Sequence, residues 1–234
     1  MHPSVKLLIV LFLLVIISCN QKDSKVDRND IFEKASPNDS LAFYFPAVLN
    51  NPRKIAGCEN FVQNWYSSSL YSFKVPILYL KSDSEQIYRL TILPSFYSPV
   101  CFTMKKYQGN NYINAKILDR QPAFYDIIQV NEGVYDTVQI ADRLAFIKLD
   151  TTILLGKNQW NKITDFIAKN NFWKSPFKDP SPGGATDTAE WILEGRENGK
   201  YHFICREGLA DDFLSFGRYL IEICGLKLTD SEIL

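Results

Sequence analysis

Apolar and polar positions divide the chain into a start dominated by one apolar run, a polar stretch to about residue 40, and a long region of periodic and alternating segments. Within residues 59–73, Phe61, Val62, Trp65, Leu70 and Phe73 recur near a period of 3.6, which predicts a helix bounded by Pro76. Strand patterns follow at 87–93, 100–107 and 112–118. Pro94 and Pro99 separate the first pair, and Gly109-Asn110-Asn111 the second. Residues 125–140 carry strand-like pieces around Gly133, and 143–154 alternate again. Gly156 opens a second helix over 157–170, whose apolar face is Trp160, Ile163, Phe166 and Ile167. Residues 174–187, with three prolines and two glycines, read as a loop.

The sharpest local signal is Asn198-Gly199 between the aromatic, β-branched runs 188–196 and 200–206. Both central residues of a two-residue hairpin turn need φ > 0, which Asn-Gly supplies. That turn sets the register: Arg196 opposite Tyr201, Glu194 opposite Phe203, Trp191 opposite Arg206. Trp191, Leu193, His202, Ile204 and Arg206 then share one face, while Glu190, Ile192, Glu194, Arg196, Tyr201, Phe203 and Cys205 share the other. A last amphipathic helix is expected over 211–224, with Gly225 as its left-handed C-cap. Residues 41–49 (LAFYFPAVL) suggest an edge strand or a bend at Pro46. The expected fold class is α+β: one domain over 41–234, a mostly antiparallel sheet with about three helices packed on it.

The apolar start has its own meaning. Lys6 precedes eleven apolar residues, Leu7 to Ile17, which in a helix would rise about 16 Å, half of a ~30 Å hydrocarbon core. That length suits a signal peptide rather than a span. Ile16-Ile17-Ser18-Cys19 resembles the lipobox of bacterial lipoprotein signal peptides, in which the Cys becomes the lipidated first mature residue. The resemblance implies a signal at 1–18, lipidation at Cys19 and a flexible tether over 19–40. An uncleaved anchor or an ordinary signal peptide are the competing readings. Asn20 stands where an Asp would retain a proteobacterial lipoprotein in the inner membrane, which favours the outer membrane. Gln21-Lys22-Asp23 also resembles part of the export tag of Bacteroidota surface lipoproteins. Periplasm-facing and surface-exposed placements both stay open.

Composition narrows the partners. Without the signal the chain has 25 basic and 26 acidic residues (26 Lys and Arg less Lys6), a net charge of −1 that argues against nucleic acid. The expected associations are the membrane through lipid, and an envelope protein or a glycan. Hydrophobic content of 46% with 14% aromatics is enough to fill a core. Cys58, Cys101, Cys205 and Cys224 remain, and in an export compartment they form either disulfides or buried thiols, with buried thiols favoured. No spacing supports zinc, and no cofactor motif is present.

Candidate chemistry gathers at the hairpin. His202 is the only His outside the signal, and with Arg206 and Asp187 it gives a site for a hydrolase or transferase. Glu194 is a fourth candidate, but its side chain is expected on the face opposite His202. The alternative makes His202 a hydrogen-bonded structural residue and Arg206 a partner stacked on Trp191. With no nucleophile elbow and no phosphate loop, a non-enzymatic binding or structural domain fits better.

Phe172-Trp173, Trp191-Ile192-Leu193-Glu194-Gly195, Asn198-Gly199-Lys200-Tyr201-His202 and Arg206 resemble a group of small bacterial proteins with no assigned activity. Trp65-Tyr66-Ser67, Leu70 and Tyr88-Arg89-Leu90 extend the likeness over most of 59–226. Thr188 and Glu207 depart from that group, which has Gly and Trp there. The resemblance implies one contiguous domain and no catalytic role.

Overall fold

The computed structural model describes residues 31–32, 42–46, 65–81, 85–122, 126–131, 134–138, 145–178, 188–207 and 211–234. The chain divides after Ile31, and the unit from Phe32 to Leu234 carries every element below. It is an α+β domain built on a six-stranded antiparallel sheet. The strands are β1 (Ile87–Leu93), β2 (Val100–Tyr107), β3 (Asn110–Leu118), β6 (Ile147–Leu155), β7 (Glu190–Glu197) and β8 (Lys200–Glu207), in the order β6-β3-β2-β1-β7-β8. A separate hairpin pairs β4 (Asp126–Asn131) with β5 (Val134–Val138), where strand-like pieces were expected. The helices are α1 (described over 65–72), α2 (Lys157–Lys169), α3 (Asp211–Ile223) and the short α4 (Asp230–Ile233). The last of these, and two 3-10 turns at Leu78–Leu80 and Phe172–Lys174, have no counterpart in the sequence reading.

Local chemistry explains the sharpest boundaries. Asn198 and Gly199 both have positive φ (51° and 75°), so the β7–β8 turn holds the expected register. The β2–β3 turn uses Gln108 and Gly109 (φ 49° and 81°) instead of Gly109-Asn110-Asn111, and β3 therefore starts at Asn110. Gly225 (φ 64°) ends α3: its N–H donates to Glu222 O, and Leu226 N–H to Ile221 O, the paired bonds of a Schellman cap. Residues 42–46 contain no strand and bend at Tyr44–Phe45, so this stretch takes the bend of the two expectations.

Both faces of the sheet are covered. On one, Tyr88, Leu90, Phe102, Met104, Trp191 and Leu193 pack against α2 (Trp160, Ile163, Ile167) and α3 (Phe213, Phe216, Leu220). Burying each such side chain contributes about 1.5–3 kcal/mol. The chain leaves edge strand β6, crosses this face as α2, and returns beside the other edge. On the opposite face, Tyr66 and Leu70 of α1, with Phe73, Tyr44 and Phe45, cover Cys101, Ile192, Phe203 and Cys205.

That second face is unusually polar for its burial. Arg89, Thr91, Thr103, Lys105, Asn114, Lys116, Glu194 and Arg196 are all at most 6% exposed. Three of its cations reach the end of α1 and the segment that follows. Lys116 Nζ donates to Phe73 O (2.9 Å), Arg89 to Pro76 O (2.8 Å) and Arg196 to Leu78 O (3.4 Å). Phe73 O belongs to the end of α1, where helix carbonyls are unsatisfied and cations are favoured. The sheet thus holds residues 73–78 with three charged donors, a structural use for side chains that alternation alone would assign to water.

Candidate ligand-binding site

The β7–β8 hairpin positions the candidates. Its register pairs Gly195 with His202, Glu194 with Phe203 and Trp191 with Arg206, as the turn predicts. Trp191, Leu193 and Ile204 belong to the core on one face, and Ile192, Phe203 and Cys205 to the core on the other. Glu194 and His202 therefore lie on opposite sides of the sheet.

Strand β8 is an edge, and its own side chains close it. Residues 175–178 run alongside, with Lys178 in a parallel bridge to Cys205 and Cys205 N–H donating to Phe177 O (2.7 Å). Arg206 Nη1 donates to Pro176 O (3.2 Å) and Phe177 O (3.1 Å), and His202 Nε2 to Ser175 O (3.0 Å). A carbonyl only accepts, so Nε2 carries the proton and Nδ1 keeps the lone pair in the neutral ring. This covering removes the unpaired edge that would otherwise template aggregation. Arg206 is thus a clamp on the 175–177 segment.

Glu194 is closed to solvent. Its carboxylate takes a two-pronged bond from Arg89 (2.6 and 2.7 Å), with both side chains at 0% exposure, and accepts the Tyr201 hydroxyl (3.0 Å). Burial alone would lower the Arg89 guanidinium, but the Glu194 carboxylate outweighs it and holds Arg89 above its ordinary value. Burial, then Glu194, pushes the Tyr201 hydroxyl well up, so Tyr201 stays a donor. Nearby, Cys205 Sγ donates to Glu190 Oε2 (2.6 Å) and lies 3.1 Å from Tyr66 Oη. Burial raises the Cys205 thiol well above its ordinary range, and Glu190 adds to this, which makes it a poor nucleophile. Cys101, Cys205 and Cys224 are free and buried, while Cys58 lies outside the described residues. Asp187 and Cys19 also lie outside them.

His202 does line a cleft, of about 600 Å³, formed where the β7–β8 turn meets the 173–174 turn. Its other described walls are Trp173, Lys174, Glu197, Asn198, Lys200 and Tyr201. The volume falls in the range of small-molecule sites. The aromatic wall is seated from below. Gly195 lets the Phe172 ring lie on the sheet: a Cβ there would sit 2.6 Å from that ring. Phe172 then meets Trp173 edge to face (5.0 Å) and His202 edge to face (5.1 Å). Tyr88 Oη donates to Glu197 Oε2 (2.9 Å), and burial pushes that hydroxyl up to about 12, so it remains a donor.

Of the three described catalytic candidates, His202, Arg206 and Glu194, the structure brings only His202 to this cleft. Sequence reasoning missed Trp173, Lys174, Glu197 and Lys200 as a group, although Trp173 and Lys200 fall in the stretches that carry the family resemblance. Among the described residues, no three of His, Cys, Asp and Glu gather as metal ligands, and no helix is long and apolar enough to cross a membrane. No protein-family model, no curated protein and no solved structure matches this chain.

Proposed function

We propose that this chain is a bacterial lipoprotein, anchored by lipid on Cys19 to the outer membrane and facing the periplasm or the cell surface, whose globular domain binds a partner rather than catalysing a reaction. The observation that carries the binding reading is what the candidate residues hold. His202 and Arg206 donate to main-chain carbonyls of 175–177, and Glu194 is sealed against Arg89 on the other face. Each has a structural partner that accounts for it. With its Nε2–H held by Ser175 O and its ring packed on Phe172, His202 is used as a structural donor, and the described cleft walls contain no Ser, Thr or Cys to complete a hydroxyl- or thiol-based catalytic pair with it.

The anchor reading rests on Lys6, the apolar run to Ile17, and Ser18-Cys19. It is tested in bacteria fed a clickable palmitate analogue. The native chain takes up label and sediments with outer membranes, and Cys19→Ser loses the label and becomes soluble. Label retained by Cys19→Ser would overturn the anchor.

A further inference from the structure

We propose that the cleft beside the β7–β8 turn binds an acidic saccharide, with a sugar ring laid on Trp173 and its anionic group drawn to Lys174 and Lys200. The inference rests on reading the domain as a binding domain, and it names the ligand.

Three properties of the cleft select this chemistry. The first is a rigid aromatic wall. Trp173 is fixed by its edge-to-face contact with Phe172, which is itself fully buried against Gly195. An indole held in advance offers a flat apolar surface to the C–H face of a pyranose ring at little entropic cost. The second is a pair of ammonium groups from separate elements, Lys174 on the 3-10 turn and Lys200 at the start of β8, both exposed at the cleft. Their positive charges favour an anionic group in the cleft. The third is polar groups suited to hydroxyls. Glu197 already accepts from Tyr88 through one oxygen and has a second, and the Asn198 amide both donates and accepts.

The mixture also excludes neighbouring classes. Five described wall residues are charged or strongly polar, so a purely apolar ligand would strand them. Glu197 sets one negative charge against the two lysines, which disfavours a dense polyanion but provides an acceptor for a hydroxylated ligand. A mature chain of net charge −1 supplies no long-range pull on nucleic acid.

The test is calorimetric titration of the full-length protein in detergent with digalacturonate, its neutral dimethyl ester, glucose 6-phosphate and AMP. The expected result is saturable binding of digalacturonate or glucose 6-phosphate, whichever anion the site takes. The ester should bind about tenfold more weakly, and Lys174→Gln/Lys200→Gln should lose about tenfold affinity for the acidic sugar, with an unchanged Tm. Added salt should weaken the acidic sugar and leave the ester unaffected. The inference is overturned by no saturation with either acidic sugar up to about 10 mM, by equal affinity for acid and ester, or by AMP binding more tightly than both sugars. Release of new reducing ends from bound digalacturonate would instead overturn the non-catalytic reading while leaving the ligand class supported.

Discussion

Replacing Glu194 by Leu removes the carboxylate bonded to a guanidinium that has no access to water. Arg89 and Glu194 are both at 0% exposure and joined at 2.6 and 2.7 Å, so the variant leaves Arg89 a buried cation with only the Pro76 carbonyl (2.8 Å) as a described acceptor. Breaking a buried pair from one side costs about 3–5 kcal/mol, and the stranded Tyr201 hydroxyl falls within that range. Against a typical total of about 5–15 kcal/mol this is a large share, and the Tm falls by about 6–20 °C. Arg89→Met strands the carboxylate instead and should cost a similar amount. The double variant Arg89→Met/Glu194→Leu carries neither charge. It leaves the Pro76 carbonyl and the Tyr201 hydroxyl without these partners, at about 1 kcal/mol each, so it should be more stable than either single variant. Urea unfolding followed by circular dichroism, with all four proteins at one pH, reads the cycle directly. If the two single costs simply add in the double variant, or either single costs under about 1 kcal/mol, the pair is not the closed unit described above.

Two further outcomes follow from packing and from burial of acids. In α3, Gly217→Ala would ordinarily gain about 1 kcal/mol in helix propensity. Here the new Cβ would stand 2.4 Å from the fully buried Trp191 ring, so overpacking at the upper end of its usual range, about 3 kcal/mol, outweighs that gain by about 2 kcal/mol and Tm should drop by about 4–8 °C; an unchanged or higher Tm refutes the close approach. Burial pushes the Tyr88 hydroxyl and the Cys224 thiol up to about 12, and it also raises Cys101, Cys205, Tyr66 and Tyr201. Above about pH 8.5 the unfolded chain releases thiol protons that the folded chain keeps, and tyrosine protons follow near pH 10. This stability is therefore complete below about pH 8.5 and is lost as pH rises toward 12, so Tm measured from pH 7 to 11 should decline above pH 9, and a flat profile would contradict it.

The sequence by itself determined the parts of this protein that depend on short-range geometry. The bounds of β1 and β2 read directly from alternation between prolines, and α2 and α3 from a 3.6-residue period. The β7–β8 register followed from Asn198-Gly199, because two adjacent residues with φ > 0 leave one way to pair the strands. That register also separated His202 from Glu194 without any knowledge of the rest of the fold. The β2–β3 turn was placed one residue late because Asn110 and Asn111 offer equally good turn chemistry, and the choice went to pairing along β2.

Only the tertiary structure decided what each polar position is for. Alternating Arg89, Thr91, Thr103, Lys105, Asn114 and Lys116 describe a sheet face that water or another layer could cover, and the pattern is the same in both cases. Here α1 and residues 73–78 cover it, so Lys116 and Arg89 answer backbone carbonyls, and Arg89 also meets a carboxylate 105 residues away. The cleft has the same origin. Trp173 and Lys174 reach Lys200 and His202 because the chain crosses the sheet as α2 and returns along the outer edge of β8, which it covers. Periodicity reports which side of an element faces inward, but the partner it meets there depends on how distant segments close around the core.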